Sequence, residues 1–165
     1  MEIALSPMEF ARRARRLYPD REAVVDGEAR FTYAQFLERC DRWSAALQAM
    51  GVGKGDRVAY IAPNTHANLE GYYAVPQIGA VLVPMNYRLL ADDFDYIINH
   101  CGAKVVCVHS DYIDMIEGIR VKLPGVKHFV ALEGAGKGWV DYEETLASSS
   151  PAFEQPDISE TDLIT

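Results

Sequence analysis

Two short apolar runs, separated by a segment of helical length, constrain the fold of this chain more than any other feature. The runs cover residues 58–62 and 80–84, within the stretch Gly51–Leu90. Neither run alternates between apolar and polar residues, which is typical of strands that are buried on both faces. Because parallel strands need a long crossover, usually a helix, the pattern predicts a βαβ unit and the beginning of a parallel sheet.

The sequence before this unit predicts a helix, a β-hairpin and a second helix. Ser6-Pro7-Met8-Glu9 has the pattern of a capping box with proline in the first turn, and this helix should end near Leu17. Asp26-Gly27, between two β-type runs, is typical of a hairpin turn. Thr32 and Gln35 form a second capping box, and an apolar stripe of helical spacing follows it. The stripe consists of Phe36, Cys40, Trp43, Leu47 and Met50.

After the βαβ unit, strands and helices continue to alternate. The sequence predicts helices over residues 91–101 and from 110 or 111 to 119, strands over 104–109 and 126–132, one short helix within 139–147, and the first half of a strand at 162–165. The predicted fold is therefore α/β: a mainly parallel sheet with flanking helices, preceded by a helix and a β-hairpin. It should occupy residues 1–150, with a linker at 151–165 that is rich in proline and polar residues.

The charge of the chain argues against several classes of partner. Its 165 residues include 16 Lys and Arg against 24 Asp and Glu, which gives a net charge of −8. Nucleic acids and anionic membranes both require clustered positive charge, so neither is expected as a partner. One local group of arginines in the first helix is interpreted as a solvated helix face. The group consists of Arg12, Arg13, Arg15 and Arg16.

The cysteines and the lack of targeting signals predict a cytoplasmic protein. Cys40, Cys101 and Cys107 have no C-x-x-C spacing and fall within apolar helix or strand patterns. They are interpreted as reduced core residues rather than as a disulfide framework or a metal site. Residues 1–7 lack the basic start and apolar centre of a signal peptide, and no apolar run approaches the ~20 residues of a membrane span.

Most motifs that suggest a site have a simpler structural interpretation. The segment Gly134–Gly138 does not match the phosphate-loop pattern and predicts a solvated turn. Gly51–Gly55 precedes a strand, whereas a dinucleotide-binding loop follows one. The four histidines share no metal-ligand spacing, so no catalytic or metal-binding residue is assigned. They are His66, His100, His109 and His128.

Arg88 is the residue assigned to ligand binding. The segment Asn86-Tyr87-Arg88 directly follows the second apolar run. In open parallel sheets ligands bind beyond the carboxyl ends of the strands, and a planar guanidinium suits a phosphate group. The alternative is a surface arginine that pairs with Asp92 or Asp93 in the first turn of the next helix.

Six blocks of sequence, taken together and in order, carry a family resemblance that covers nearly the whole chain. The blocks are residues 31–36, 46–51, 55–59, 63–64, 72–89 and 102–106. They resemble the beginning of an AMP-forming acyl-CoA synthetase, of the adenylate-forming ligase superfamily. The block at 72–89 is most similar to fatty-acyl or related medium-chain acyl-CoA ligases.

The resemblance implies a parent enzyme that uses ATP and Mg to activate a fatty or other carboxylic acid as an acyl-adenylate, and then transfers the acyl group to CoA. In this family a strand similar to residues 162–165 leads into a phosphate loop. The chain is therefore expected to be an inactive N-terminal portion, one lobe of a larger ligase domain, that binds none of these cofactors alone. In some members an arginine matching Arg88 lies near the phosphates of CoA.

Two alternatives from other functional classes stay open at the level of sequence. A repeat of strands and helices is also typical of a free-standing, flavodoxin-like binding domain. The chain could also serve as a dimerisation module, since members of the family are often dimers. A ligase lobe should expose an apolar surface against which further subdomains pack, whereas a free-standing domain should not.

Overall fold

The computed structural model describes residues 6–134 and 136–165, and its centre is a five-stranded parallel sheet. The helices are α1 (Pro7–Leu17), α2 (Tyr33–Ala49), α3 (His66–Gln77), α4 (Ala91–Cys101), α5 (Ile113–Ile119) and α6 (Tyr142–Ser148). The strands are β1 (Glu22–Asp26), β2 (Ala29–Thr32), β3 (Arg57–Ile61), β4 (Val81–Met85), β5 (Ala103–Val108), β6 (His128–Ala131) and β7 (Val140–Asp141). Short 3-10 turns, Ser110–Tyr112 and Arg120–Lys122, flank α5.

The order of strands in the sheet confirms the predicted α/β fold. The order is β4-β3-β5-β6-β7, and Val58 on β3 lies opposite Leu82 on β4 and Val105 on β5. The chain passes from β3 to β4 through α3 and returns across β3 to β5 through α4. The stretch Gly51–Leu90 therefore contains the predicted βαβ unit, and its first strand, β3, lies between β4 and β5 in the sheet.

The residues of β3 alternate between two separate cores, one on each face of the sheet. Val58 and Tyr60 face the core that holds α2, α3 and α6. Ala59 and Ile61 face the second core, under α4 and α5. All four residues are at most 1% exposed, which confirms a strand buried on both faces. The packing explains why this run shows no alternation of apolar and polar residues.

The predicted β-hairpin and its link to α2 are both present. β1 and β2 pair antiparallel around Asp26 and Ala29. The Thr32 hydroxyl accepts the amide N–H of Gln35 at 3.3 Å, and the Gln35 side chain accepts the Thr32 N–H at 2.9 Å, so this capping box is confirmed. The capping box predicted at Ser6 is wrong. Ser6 occupies the N-cap of α1 but its side chain accepts no hydrogen bond, and the Glu9 N–H bonds the Ser6 carbonyl instead.

Two predictions near the end of the chain need correction. The single helix predicted within 139–147 is preceded by a strand, because Val140 and Asp141 pair with β6 before α6 begins. The strand predicted at 162–165 is not formed. The Ile164 carbonyl accepts one hydrogen bond from the Leu82 N–H at the outer edge of β4, at 3.0 Å, and no ladder extends from it.

Candidate functional site

Arg88 lies where the sequence places it, in the exposed loop that follows β4. Its backbone N–H donates to Asn86 Oδ1 at 3.1 Å, which holds the loop in a tight turn. The Arg88 guanidinium carbon lies 5.6 Å from the centre of the Tyr87 ring. Tyr87 in turn lies 5.7 Å from the ring of Tyr112, at the start of α5. The loop after β4 is thereby connected through two aromatic rings to the loop after β5.

The guanidinium of Arg88 is available for a ligand. Asp92 lies 3.6 Å from Lys122, and Asp93 accepts the N–H of Leu90 at 3.0 Å. Within the described residues Arg88 takes part in no ion pair, so the alternative pairing with Asp92 or Asp93 is not formed. An exposed arginine without a carboxylate partner keeps its planar set of N–H donors free for phosphate oxygens.

His109 lies at the point where adjacent strands send their connections to opposite faces of the sheet. The chain leaves β3 towards α3 on one face and leaves β5 towards α5 on the other, and such a reversal opens a crevice at the carboxyl ends of the strands. The His109 backbone N–H donates to the Ile61 carbonyl at 2.9 Å, and its ring lies 3.3 Å from Glu133 and 6.2 Å from the Tyr112 ring. The interpretation of His109 as a structural or surface residue overlooked this position, because strand order is not visible in the sequence.

A second group of polar residues connects the hairpin to three helices. Arg39 on α2 bonds Glu70 on α3 and Glu143 on α6, each at 2.5 Å. The ring of His66 lies 2.7 Å from Asp26 of the hairpin and 3.4 Å from Glu143. Arg39, Glu70, Glu143 and both ring nitrogens of His66 have partners within the protein, so these contacts are interpreted as structural.

The contacts of this network shift the pKa values of His66 and Glu143 in opposite directions. The hydrogen bond with Glu143 raises the pKa of His66 to about 9, although burial opposes the shift, and Asp26 adds to it. The hydrogen bond with His66 lowers the pKa of Glu143 to about 2, with a further contribution from Arg39. His66 is therefore an imidazolium at neutral pH and donates a proton from each ring nitrogen.

The remaining sequence motifs show no further site. Cys40 and Cys107 are buried free thiols, as predicted, whereas Cys101 is half-buried. Gly134 and Gly136 are exposed, while Ala135 between them lies outside the described residues. Residues 1–5, on which the prediction of no signal peptide largely rests, also lie outside them. Within 6–134 and 136–165 no group of three acidic, histidine or cysteine residues could hold a metal ion, and no helix is long and apolar enough to cross a membrane.

Comparison with known proteins identifies the family. Residues 10–165 match the family described as AMP-binding enzyme. The chain belongs to the AMP-binding enzyme family. It is 38% identical over 162 residues to a long-chain-fatty-acid–CoA ligase of Thermus thermophilus, covering 95% of this chain and 30% of that protein. It is 39% identical over 152 residues to the probable acyl-activating enzyme 12, peroxisomal, of Arabidopsis thaliana, covering 92% of this chain and 26% of that protein.

Solved structures of family members share the fold. A putative long-chain-fatty-acid CoA ligase from Rhodopseudomonas palustris is 31% identical, with a TM-score of 0.88 over 96% of this chain and 40% of that chain. The inhibitor-bound N-terminal domain of FACL13 from Mycobacterium tuberculosis is 28% identical, with a TM-score of 0.80 over 92% of this chain and 37% of that chain. The anthranilate CoA ligase AuaEII, in complex with anthranoyl-AMP, has a TM-score of 0.93 at 21% identity, over 99% of this chain and 32% of that chain, and shows the fold alone.

These comparisons confirm that the sequence resembles acyl-CoA ligases and that the α/β fold is that of the N-terminal domain of adenylate-forming ligases. The chain spans 19–30% of the length of the curated relatives compared with it. The family match does not favour the flavodoxin-like alternative.

Proposed function

We propose that this chain forms the N-terminal α/β lobe of an ATP-dependent, AMP-forming acyl-CoA ligase, and that it is inactive alone. The observation that carries the proposal is the match of residues 10–165 to the AMP-binding enzyme family, together with 38% identity to a long-chain-fatty-acid–CoA ligase over 30% of that protein's length. The parent reaction joins a carboxylic acid to AMP from ATP and then to the thiol of CoA. Positioning and electrostatic stabilisation dominate in such phosphoryl and acyl transfers.

The parent reaction requires ATP, Mg²⁺ and CoA, and of these the described residues offer a binding group for CoA. The exposed guanidinium of Arg88 suits a phosphate of CoA, because no carboxylate neutralises it and the Tyr87 ring supports it. Neither a Mg²⁺ site nor a phosphate loop for ATP can be assembled from the described residues. We therefore assign Arg88 alone to cofactor binding and assign no catalytic residue.

We also propose a division of the chain into two parts, a lobe and a tail. Residues 1–150 form the lobe, and residues 151–165 lead from it towards the phosphate-loop region of the parent enzyme. The tail contacts the lobe through several polar groups. The Gln48 side chain donates to the Glu154 carbonyl and accepts the Glu154 backbone N–H. Lys54 pairs with Asp162 at 2.7 Å and donates to the Asp157 carbonyl at 2.9 Å. These contacts hold residue 164 against the edge of β4, where a further strand could pair.

A pyrophosphate-exchange assay tests whether the chain is inactive alone while the parent enzyme forms an acyl-adenylate. The purified 165-residue chain, with Mg·ATP and fatty acids of several chain lengths, should show no exchange of labelled pyrophosphate into ATP. The parent enzyme, assayed in parallel, should show it. Exchange catalysed by the isolated chain would contradict the proposal, as would a parent enzyme that forms acyl-phosphate and ADP instead of AMP.

Substrate, assembly and location are the finer parts of the proposal. A fatty acid is the expected substrate, although the matched relatives also include a benzoate–CoA ligase and a butyrate–CoA ligase from Arabidopsis thaliana. We propose a cytoplasmic protein with no nucleic-acid partner and a homodimer as the assembly to test. Imaging of the tagged parent protein checks the location, because several plant relatives are named as peroxisomal.

A further inference from the structure

A cleft of about 190 Å³ lies between the hairpin and the first turns of α3, and Arg88 is not among its lining residues. Its walls are largely apolar and come from two elements. Val24 and Val25 of β1 form one side, and Leu69 and Tyr72 of α3 form the other. Leu69 and Tyr72 are 38% and 43% exposed, so the walls of the cleft remain accessible to solvent.

The floor of the cleft carries a polar side chain that the protein leaves unpartnered. Asn68 is 8% exposed and lines the cleft. Its backbone N–H donates to the hydroxyl of Thr65 at 3.3 Å, but within the described part of the chain its side-chain amide makes no hydrogen bond. No buried side-chain nitrogen or oxygen among the described residues lacks a partner, so the amide atoms of Asn68 keep contact with solvent at the cleft. A ligand that pairs with this amide replaces its hydrogen bonds to water.

Asp26 supplies a second polar group beside the amide. Its Oδ2 accepts both the backbone N–H of His66, at 2.8 Å, and the ring N–H of His66, at 2.7 Å. Among the described residues Oδ1 has no partner. Because the charged ring of His66 already compensates the carboxylate, the cleft offers hydrogen-bond acceptors with little net charge.

We propose that this cleft is a binding site for a small, uncharged molecule that has an apolar body and one amide-like group. The apolar body packs between Val24 and Tyr72. The amide-like group donates to Asp26 Oδ1 and exchanges hydrogen bonds with the side chain of Asn68. The proposed site shares no lining residue with the loop of Arg88, so its test does not depend on the proposed ligase activity.

Three probes of nearly the same shape test both the site and the class of ligand. Benzamide is neutral, benzamidine is a cation and benzoate is an anion. In a titration of the isotopically labelled 165-residue chain followed by NMR, benzamide should produce saturable shifts at the Asn68 side-chain amide and at the backbone amides of residues 64–72. Benzamidine and benzoate should bind at least tenfold more weakly. Absence of saturable shifts with benzamide, or tighter binding of either ion, would overturn the proposal.

Variants separate a specific site from non-specific contact. Asn68→Leu keeps the side-chain volume but removes the amide, so the dissociation constant for benzamide should rise roughly five- to tenfold. Val25→Trp fills the mouth of the cleft from a strand position that is 53% exposed, and it should abolish the shifts. Asn86→Leu, at the loop after β4, is the matched control and should bind as the wild type does. Equal affinity in Asn68→Leu and wild type would refute the role of the amide, and unchanged binding in Val25→Trp would place the probe elsewhere.

Discussion

Arg39 and Glu70 form a two-point ion pair inside the protein: Arg39 Nε donates to Glu70 Oε1 at 2.5 Å and Nη2 donates to Oε2 at 3.3 Å. The side chain of Glu70 is completely buried, and that of Arg39 is 19% exposed. Tyr142 of α6 donates its hydroxyl to Glu70 Oε2 at 2.5 Å. Burial raises the pKa of Glu70, and the hydrogen bonds from Arg39 and Tyr142 oppose that rise. The pair therefore connects α2, α3 and α6 at the cost of burying a carboxylate.

Loss of one partner of this pair should destabilise the protein. Glu70→Gln removes the buried negative charge and replaces one of the two acceptor oxygens with an N–H₂ donor, so Arg39 and Tyr142 can no longer both be satisfied and the free energy of unfolding should fall by about 3 kcal/mol. Urea denaturation followed by circular dichroism measures the change. Glu22→Gln, which breaks an exposed pair with Arg30, is the matched control and should cost less than ~1 kcal/mol. Similar losses for the two variants would contradict the structural role of the buried pair.

Gly71 is required for the approach of Tyr60. A Cβ atom at position 71 would lie 2.6 Å from Cζ of Tyr60, whose hydroxyl accepts the Trp43 indole N–H at 2.7 Å. Because Tyr60 is 1% exposed and cannot move aside freely, Gly71→Ala should lower the free energy of unfolding by roughly 1–3 kcal/mol. Thermal or urea unfolding measures it.

Gly118 provides the control for this substitution. It lies on α5, and no atom lies within 4 Å of an added Cβ. Gly118→Ala should leave stability unchanged or raise it by up to ~1 kcal/mol, because alanine favours a helix more than glycine does. A neutral Gly71→Ala variant would show that helix propensity offsets the contact with Tyr60. A Gly118→Ala variant as destabilised as Gly71→Ala would show that the loss at position 71 does not come from that contact.

His66 should make the stability of the protein depend on pH in the mildly alkaline range. Its pKa is raised from 6.5 to about 9 in the folded state, so its contribution is complete below pH 6.5 and is lost as the pH rises through 9. The free energy of unfolding should therefore decrease between about pH 6.5 and 9. In His66→Gln this decrease should disappear, whereas the exposed His100→Gln should keep it. A wild-type protein with constant stability across this range would rule out the charged state of His66.

The two N-caps should differ in their contribution to stability. The Thr32 side chain accepts a hydrogen bond from the backbone of α2, and Ser6 makes no such bond at the start of α1. Thr32→Ala should therefore cost about 1 kcal/mol, while Ser6→Ala should cost a few tenths at most. Urea denaturation of the two variants, side by side, gives the comparison. A larger loss for Ser6→Ala would contradict the assigned hydrogen bonds.

Substitution of Arg88 should weaken the transfer of the acyl group to CoA in the parent enzyme but leave adenylate formation unchanged. If the guanidinium contacts a phosphate of CoA, Arg88→Ala should raise the KM for CoA by roughly tenfold, a typical loss for a charge-assisted hydrogen bond. Pyrophosphate exchange, which reports adenylate formation, should be unaffected. Arg21→Ala, an exposed arginine stacked on Tyr18, is the control. An unchanged KM for CoA would contradict a role of Arg88 in binding CoA.

The sequence predicted the main helices and strands of this fold better than its shortest strand and the contacts at helix ends. The apolar stripe that contains Trp43 and Leu47 and the capping box at Thr32 depend on local chain chemistry, and both are confirmed. β7 was missed because Val140–Asp141 is too short to show a period and forms only by pairing with β6. The missing hydrogen bond of Ser6 shows that a capping pattern permits a contact without requiring it.

The candidate site was likewise predicted only in part from the sequence. Its position after a strand, the guanidinium of Arg88 and the family resemblance can all be read from neighbouring residues. The sequence could not show that Asp92 and Asp93 take other partners, or that Tyr112 reaches Tyr87 from the next strand loop. Those facts depend on how β4 and β5 are placed on either side of β3.

The amino-acid sequence by itself determined the alternation of strands and helices, the burial of both faces of β3 and the membership in a family of ligases, because each depends on local patterns or ordered motifs. Only the tertiary structure decided which polar groups meet. Asp26, Arg39, Glu70 and Glu143 are far apart in the chain and come together around His66 and Tyr142 through the order of strands and the packing of α2 on α3 and α6. The same packing opened the cleft over Asn68. Burial then fixes the energies of the charged groups, because a charge removed from water depends on the partners that the fold supplies.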